Sequence, residues 1–181
     1  ILKFYNMEIR LKEINYAAAS YISKWKSDSF LSKKLMKKKE KINLKEAEKW
    51  IDINSSDKNQ VLRGIFLIKE NKKILIGLAR LMFIDYKSKV AELGIYIGEK
   101  KYIGLGLGTK AIKLLIIKAF LKLKLRKIFL RVNKKNRAAI KLYEKMNFKI
   151  EGIMFQNYYN REKNFFEDVI YMSLFNEKLF K

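Results

Sequence analysis

Along residues 5–14 apolar and charged positions alternate, with Met7, Ile9 and Leu11 set against Glu8, Arg10 and Lys12. This period of two predicts a half-buried strand. Residues 16–26 and 43–51 change to helical spacing. In the second segment Asn43 and Glu46 form a capping box, ahead of an apolar face made by Leu44, Ala47, Trp50 and Ile51. Between these helices the lysine-rich stretch 33–41 reads as a mobile surface connection. Residues 63–69 and 74–83 are β-prone runs separated by Glu70-Asn71-Lys72-Lys73, hence a hairpin, and a turn at 85–88 leads to a further strand over 90–97. A long helix over 107–123, a strand over 127–132, a helix over 137–146 and a strand pair over 149–158 and 165–174 complete the chain. An antiparallel meander followed by βαβαββ predicts an α/β (α+β mixed) domain over residues 1–181, with one mixed sheet and helices on both faces.

Composition narrows the chemistry. The 181 residues are 49% hydrophobic and 13% aromatic, which excludes a disordered or low-complexity chain. There is no His and no Cys. A disulfide framework, a thiol nucleophile, a Ser-His-Asp triad and a zinc site of the usual N/S kind are therefore excluded, and no metal is expected. Catalysis must draw on carboxylates, Tyr, Lys, hydroxyls and backbone groups. Lysines interrupt the densest apolar stretch, residues 112–125, so no membrane span is expected. The first six residues are too short and mixed for a signal peptide, and Met7 leaves open whether they are native. The expected location is cytoplasmic.

The formal charge of +23 is carried by 34 Lys and only 7 Arg, beside abundant Ile, Asn and Tyr. That is the composition an AT-rich coding sequence produces, whereas base-reading proteins lean on Arg. A specific nucleic-acid ligand is not expected, although a non-enzymatic basic nucleic-acid-binding module stays as the alternative class.

Two segments carry candidate chemistry. Gly104, Gly106 and Gly108 stand at alternate positions between the strand over 90–97 and the long helix. A backbone without Cβ atoms there can approach a ligand, and the helix start offers free N–H groups and positive dipole, a combination suited to phosphates. The spacing fits neither the dinucleotide fingerprint nor a Walker loop. A tight strand-to-helix turn is the plainer reading. The second segment runs from Arg131 to Phe148: a strand ends at Asn133, Asn136 can cap the next helix, and Tyr143 lies two turns in, on the broad face of Ala139 and Ile140.

This second segment resembles the Asn-x-x-Asn-x-x-Ala-x-x-Leu-Tyr-x-x-x-x-Phe signature of the GCN5-related N-acetyltransferases (GNAT), and the glycine segment resembles that superfamily's acetyl-CoA pyrophosphate loop. Residues 9–11, Trp25, Asp28, residues 46–51 and 151–152, Asp168 and Met172 look like the branch that acetylates ribosomal-protein N-termini, which is itself similar to spermidine and amino-sugar acetyltransferases. The resemblance implies a splayed sheet of about seven strands, with acetyl-CoA as co-substrate in the fork between the strands at Val90 and Lys127. Cofactor contacts would come from Leu93 and Ile95 of the first strand, from Ile103, Gly104, Leu105, Gly106, Leu107, Gly108 and Thr109 of the loop, and from Asn133 and Asn136. Ile103 departs from the Gln or Arg of the family loop. Tyr143 would be the general acid for the CoA thiolate. Glu92 would be the base that takes the amine proton, unless it only pairs with a cation such as Arg80. Tyr96 and Asp168 are weaker candidates for substrate contact. Lys100, Lys101, Lys110, Lys134 and Lys135 lie where they could attract the polyanionic cofactor. The expected activity is direct acetyl transfer to a primary amine. On a strongly basic surface a nucleotide-linked amino sugar or a protein N-terminal amine is favoured, with a polyamine as the alternative acceptor, and the expected assembly is a monomer or homodimer.

Overall fold

The computed structural model describes residues 7–69 and 72–176. Seven strands form one sheet: β1 (Glu8–Lys12), β2 (Val61–Lys69), β3 (Lys72–Asp85), β4 (Val90–Ile97), β5 (Lys127–Asn133), β6 (Lys149–Asn160) and β7 (Phe165–Phe175). Their order is β1-β2-β3-β4-β5-β7-β6, antiparallel throughout except between β4 and β5. Five α-helices accompany them: α1 (Ala19–Lys26), α2 (Ser29–Lys34), α3 (Leu44–Ser56), α4 (Leu107–Ile117) and α5 (Arg137–Lys145). The expected mixed sheet is present, with the hairpin and the crossover helix in their predicted places. Two assigned turn residues, Glu70 and Asn71, lie outside the described residues, as do Tyr5 and Asn6 of the first strand. Lys72 and Lys73 already belong to β3.

Two apolar clusters cover the sheet. On one face α4 buries Leu107, Ala111, Ile112 and Leu115 against Ile65, Ala79, Leu81 and Leu93. These helix positions recur at i, i+4, i+5 and i+8, one stripe of a 3.6-residue period, and each large side chain contributes roughly 1.5–3 kcal/mol on burial. Residues 118–122 continue α4 as one π turn, which explains why the apolar pattern runs on to Leu123. On the other face α1 and α3 bring Ile22, Trp25, Ala47 and Ile51 against Leu62, Leu75 and Leu78. The capping box of Asn43 and Glu46 forms with both of its hydrogen bonds.

One stretch differs from expectation. The lysine-rich connection starts later, because Asp28 caps a short helix by accepting the Leu31 N–H at 3.0 Å, and this helix, α2, holds Lys33 and Lys34. The remaining connection, residues 37–41, is exposed as expected, and its Lys37 and Lys38 also border the central cleft.

The sheet splays where the site must be. β4 and β5 pair only through Val90, Ala91 and Glu92 opposite Lys127, Ile128 and Phe129. Beyond that point β5 pairs with β7 and β4 with β3 alone, so among the described residues the β4 main chain from Leu93 to Ile97 has no strand on its β5 side. Unpaired backbone groups at such a fork need water or a ligand as partner.

Candidate active site

A cleft of about 860 Å³ opens at the fork. The glycine loop borders one end. Gly104 (φ 83°) and Gly106 (φ 74°) occupy left-handed backbone, which glycine adopts without the strain of a Cβ. A Cβ at either would meet nothing within 4 Å, so conformation rather than crowding requires glycine there. Gly106 is the N-cap of α4 and offers no side-chain cap. The first helical bond runs from the Lys110 N–H to the Gly106 carbonyl, which leaves the amides of Leu107, Gly108 and Thr109 ahead of the ladder. Three adjacent N–H groups at the positive end of an eleven-residue helix suit a phosphate.

The loop's side chains play different parts. Ile103, Gly104, Gly106, Gly108 and Thr109 line the cleft, as do Leu93 and Ile95 of β4. Leu107 does not present its side chain there: it is 1% exposed and packed in the core, so only its main chain can serve a ligand. Leu105 likewise packs against the core. The nearby lysines are engaged within the protein. Lys100 pairs with Asp28 at 2.8 Å, Lys110 donates to the Met7 carbonyl, Lys134 pairs with Asp168 and Lys135 with Glu167.

Across the fork α5 supplies the other wall. Asn136 caps it, accepting the Ala139 N–H at 3.4 Å, and borders the cleft. Asn133 does not line it. Its buried side chain donates to Glu167 and accepts the Lys135 N–H, so it ties β5 to β7. Tyr143 points from α5 towards the cleft, its ring 5.7 Å from that of Phe148. Burial alone pushes its phenol up to about 12, and no group among the described residues hydrogen-bonds the hydroxyl. A neutral phenol with a free O–H is a donor waiting for an acceptor.

Glu92 stands at the last position of β4 that pairs with β5, 7% exposed. Its partner is not Arg80 but Arg131 of β5, whose Nε and Nη2 donate to the two carboxylate oxygens at 2.9 and 3.0 Å. The bidentate geometry fixes the carboxylate facing the cleft while two of its roughly four acceptor positions stay open. Arg131 lies two residues beyond Phe129, the register partner of Glu92, so the pairing could be read only once the parallel register was known. Tyr96, two turns of the pleat further along β4, also lines the cleft. Burial raises its phenol, Arg80 opposing, and its ring meets Trp25 edge-on at 5.6 Å. Asp168 is withdrawn into its pair with Lys134 and accepts the Gln156 N–H.

The end of the cleft beside α2 and α3 was not anticipated. Trp50, Arg80, Lys26 and Lys37 gather there, and nothing in their sequence spacing joins them. Among the described residues no group of three or more His, Cys, Asp or Glu could hold a metal ion, and no helix is long and apolar enough to cross a membrane.

The Acetyltransferase (GNAT) domain family matches residues 9–149. The spermidine N(1)-acetyltransferase of Escherichia coli strain K12 is 37% identical over 83 residues, 46% of this chain and 44% of that protein. The corresponding Vibrio cholerae protein is 31% identical over 113 residues, 62% of this chain and 64% of that one. Both matches span less than two thirds of the relative's length. In fold, the chain superimposes on the spermidine N-acetyltransferase of V. cholerae solved with CoA and spermine, with a TM-score of 0.83 and 23% identity over 96% of this chain and 98% of that one. A dodecameric structure of the V. cholerae enzyme gives 0.75 at 22% identity, covering 96% and 95%. With the family match extending from β1 through α5, this chain belongs to the GNAT acetyltransferase family.

Proposed function

We propose that this protein transfers the acetyl group of acetyl-CoA directly to a primary amine. The observation that carries this reading is the fork itself: the unpaired edge of β4 lies between an uncapped helix N-terminus and a half-buried tyrosine that lines the cleft and whose hydroxyl has no hydrogen-bond partner among the described residues. The amides of Leu107, Gly108 and Thr109 would hold the cofactor's pyrophosphate, and Asn136 its arm. The free edge at Leu93 and Ile95 would align the thioester. The amine nitrogen then attacks the carbonyl carbon, an N–C bond forms as the C–S bond breaks, and the developing oxyanion meets β4 main-chain N–H groups. Glu92, oriented by Arg131, takes the proton that the ammonium must lose, and the Tyr143 hydroxyl supports the departing thiolate.

Among acceptors, the names of the relatives support a polyamine, which the sequence held only as the alternative, over the favoured amino sugar or protein N-terminus. The dodecameric V. cholerae enzyme likewise supports a larger assembly than the expected monomer or homodimer. A basic nucleic-acid-binding module explains neither the left-handed glycines nor the Glu92–Arg131 pair. The reading is tested by thermal unfolding with acetyl-CoA. Ligand at a hundredfold its Kd stabilises by about 2.7 kcal/mol. For a chain of this size that raises Tm by about 5–10 °C, and no rise at saturation would remove the basis of the proposal.

A further inference from the structure

The outward face of α4, and of the π turn that continues it, holds large apolar side chains in water. Leu114 is 37% exposed, Ile117 51% and Leu121 55%. Their spacing of three and four residues sets them in one ridge along the helix. The inner positions Ala111, Ile112, Leu115 and Ala119 are fully buried against the sheet, so the ridge cannot turn inward without giving up the core. Single exposed leucines are ordinary on a protein surface, whereas a continuous apolar row marks a contact surface.

Positive charge frames this ridge. Lys113 lies to one side of it and Lys118 and Lys122 to the other, with Lys124 past its C-terminal end. None of these four lysines has an ion pair or hydrogen bond among the described residues. The carboxylate that acts on Lys118 from a distance, Glu13, already pairs with Arg63 at 3.1 Å. No Asp or Glu occurs anywhere from Lys100 to Tyr143. The ridge therefore needs a partner that is apolar at its centre and anionic around it.

We propose that the outer face of α4 docks on an anionic lipid bilayer, with Leu114, Ile117 and Leu121 entering the headgroup boundary and the lysines beside them reaching the lipid phosphates. A lysine suits this place because its alkyl stem lies along apolar surface while its ammonium stays in the polar layer. A second copy of this chain fits less well: it is itself strongly basic, and pairing ridge with ridge would set the same lysines against one another. A nucleic acid also fits less well, since the ridge is aliphatic and presents no aromatic ring on which a base could stack. Docking leaves the cleft open, because none of the three ridge residues lines it. The inference does not depend on the acetyl-transfer reading.

The test is sedimentation with vesicles of equal parts phosphatidylglycerol and phosphatidylcholine, beside vesicles of phosphatidylcholine alone, at physiological ionic strength, where long-range attraction is screened. Any protein of this charge is drawn to an anionic surface, so the decisive variant keeps the charge constant. Leu114→Ser combined with Ile117→Ser should weaken binding to the anionic vesicles by at least about tenfold. Lys113→Gln, Lys118→Gln and Lys122→Gln together should weaken it by at least about tenfold more than Lys45→Gln, Lys49→Gln and Lys58→Gln together, which remove as much charge from exposed positions on and after α3. All of these variants should keep the wild-type Tm. A second readout needs only one substitution: the chain has no Cys, so Leu121→Cys takes a single environment-sensitive fluorophore. Its emission should shift to the blue on anionic vesicles, whereas the same label at Lys45→Cys should not respond. Binding that survives loss of the two apolar side chains, equal losses from the two lysine sets, or a label at position 121 that does not respond would overturn the proposal. So would ridge substitutions that abolish self-association or RNA binding and leave vesicle binding intact.

Discussion

Tyr143→Phe separates the proposed chemistry from packing. The substitution removes one hydroxyl that has no hydrogen-bond partner among the described residues and keeps the ring against Phe148. Stability should therefore be nearly unchanged, since a cleft-lining hydroxyl with no partner within the fold contributes little to it. Burial lifts the phenol from 10.0 to about 12, which favours the neutral form. A thiol has an ordinary pKa of about 8.5. Complete proton transfer from this phenol to a thiolate would then be uphill by several kcal/mol, so in the proposed reaction Tyr143 would act by donating a hydrogen bond to the sulfur as charge develops. A hydrogen bond to a charged group contributes about 1.5–3 kcal/mol, which converts to a kcat loss of roughly 10- to 150-fold. Because the bond strengthens only in the transition state, KM for acetyl-CoA should be nearly unchanged. The assay is steady-state thiol release with acetyl-CoA varied at saturating amine, beside a thermal melt. A kcat within threefold of wild type would refute the role, and a fall in Tm of more than about 5 °C would show that the hydroxyl has a structural partner.

Three further outcomes follow from the same geometry. Glu92→Gln should lower kcat/KM by about a hundredfold or more near neutral pH, with partial recovery as rising pH supplies free amine, measured as a pH–rate profile; an unchanged profile would confine Glu92 to its pair with Arg131. Gly98→Ala should lower stability by about 1–3 kcal/mol in urea unfolding, because a Cβ there would stand 2.2 Å from the ring of Trp25, which is 2% exposed and cannot withdraw. For Glu167, burial favours the neutral acid, but hydrogen bonds from Asn133, Lys135 and Asn160 outweigh it and hold the carboxyl below its ordinary 4.5. A depressed carboxyl stabilises the fold above the unfolded value and loses that contribution as pH falls through the folded value. The Tm deficit of Glu167→Gln should thus be full at pH 7 and shrink below about pH 4.5.

What the sequence disclosed depended on how local each signal was. Alternation over residues 7–12, the Asn43–Glu46 box and the glycine spacing 104–108 are set by neighbours in the chain, and each appears where expected. The α2 helix was obscured because its start depends on Asp28 capping Leu31, while the lysines that follow resemble a solvated run. Arg131 as the partner of Glu92 depends on strand register, and Arg80 meeting Asn54 and Gln60 depends on how α3 and the residues after it pack against β3. Neither has a local pattern. Side-chain direction was equally hidden: Leu107 and Asn133 stand beside site residues in the chain, yet one enters the core and the other binds Glu167. Pairs such as Lys100–Asp28, Lys134–Asp168 and Lys135–Glu167 engage lysines near the site, but the net +23 is what remains after every acidic residue is counted.

The central claim is that this cleft moves an acetyl group from CoA to an amine. Its most direct measurement is thiol release from acetyl-CoA with and without a panel of primary amines, with the amine product followed by mass spectrometry. The account predicts release that depends on the amine and matches acetylated amine one for one. Release at the same rate without an amine, or none with any amine although acetyl-CoA binds, would contradict it.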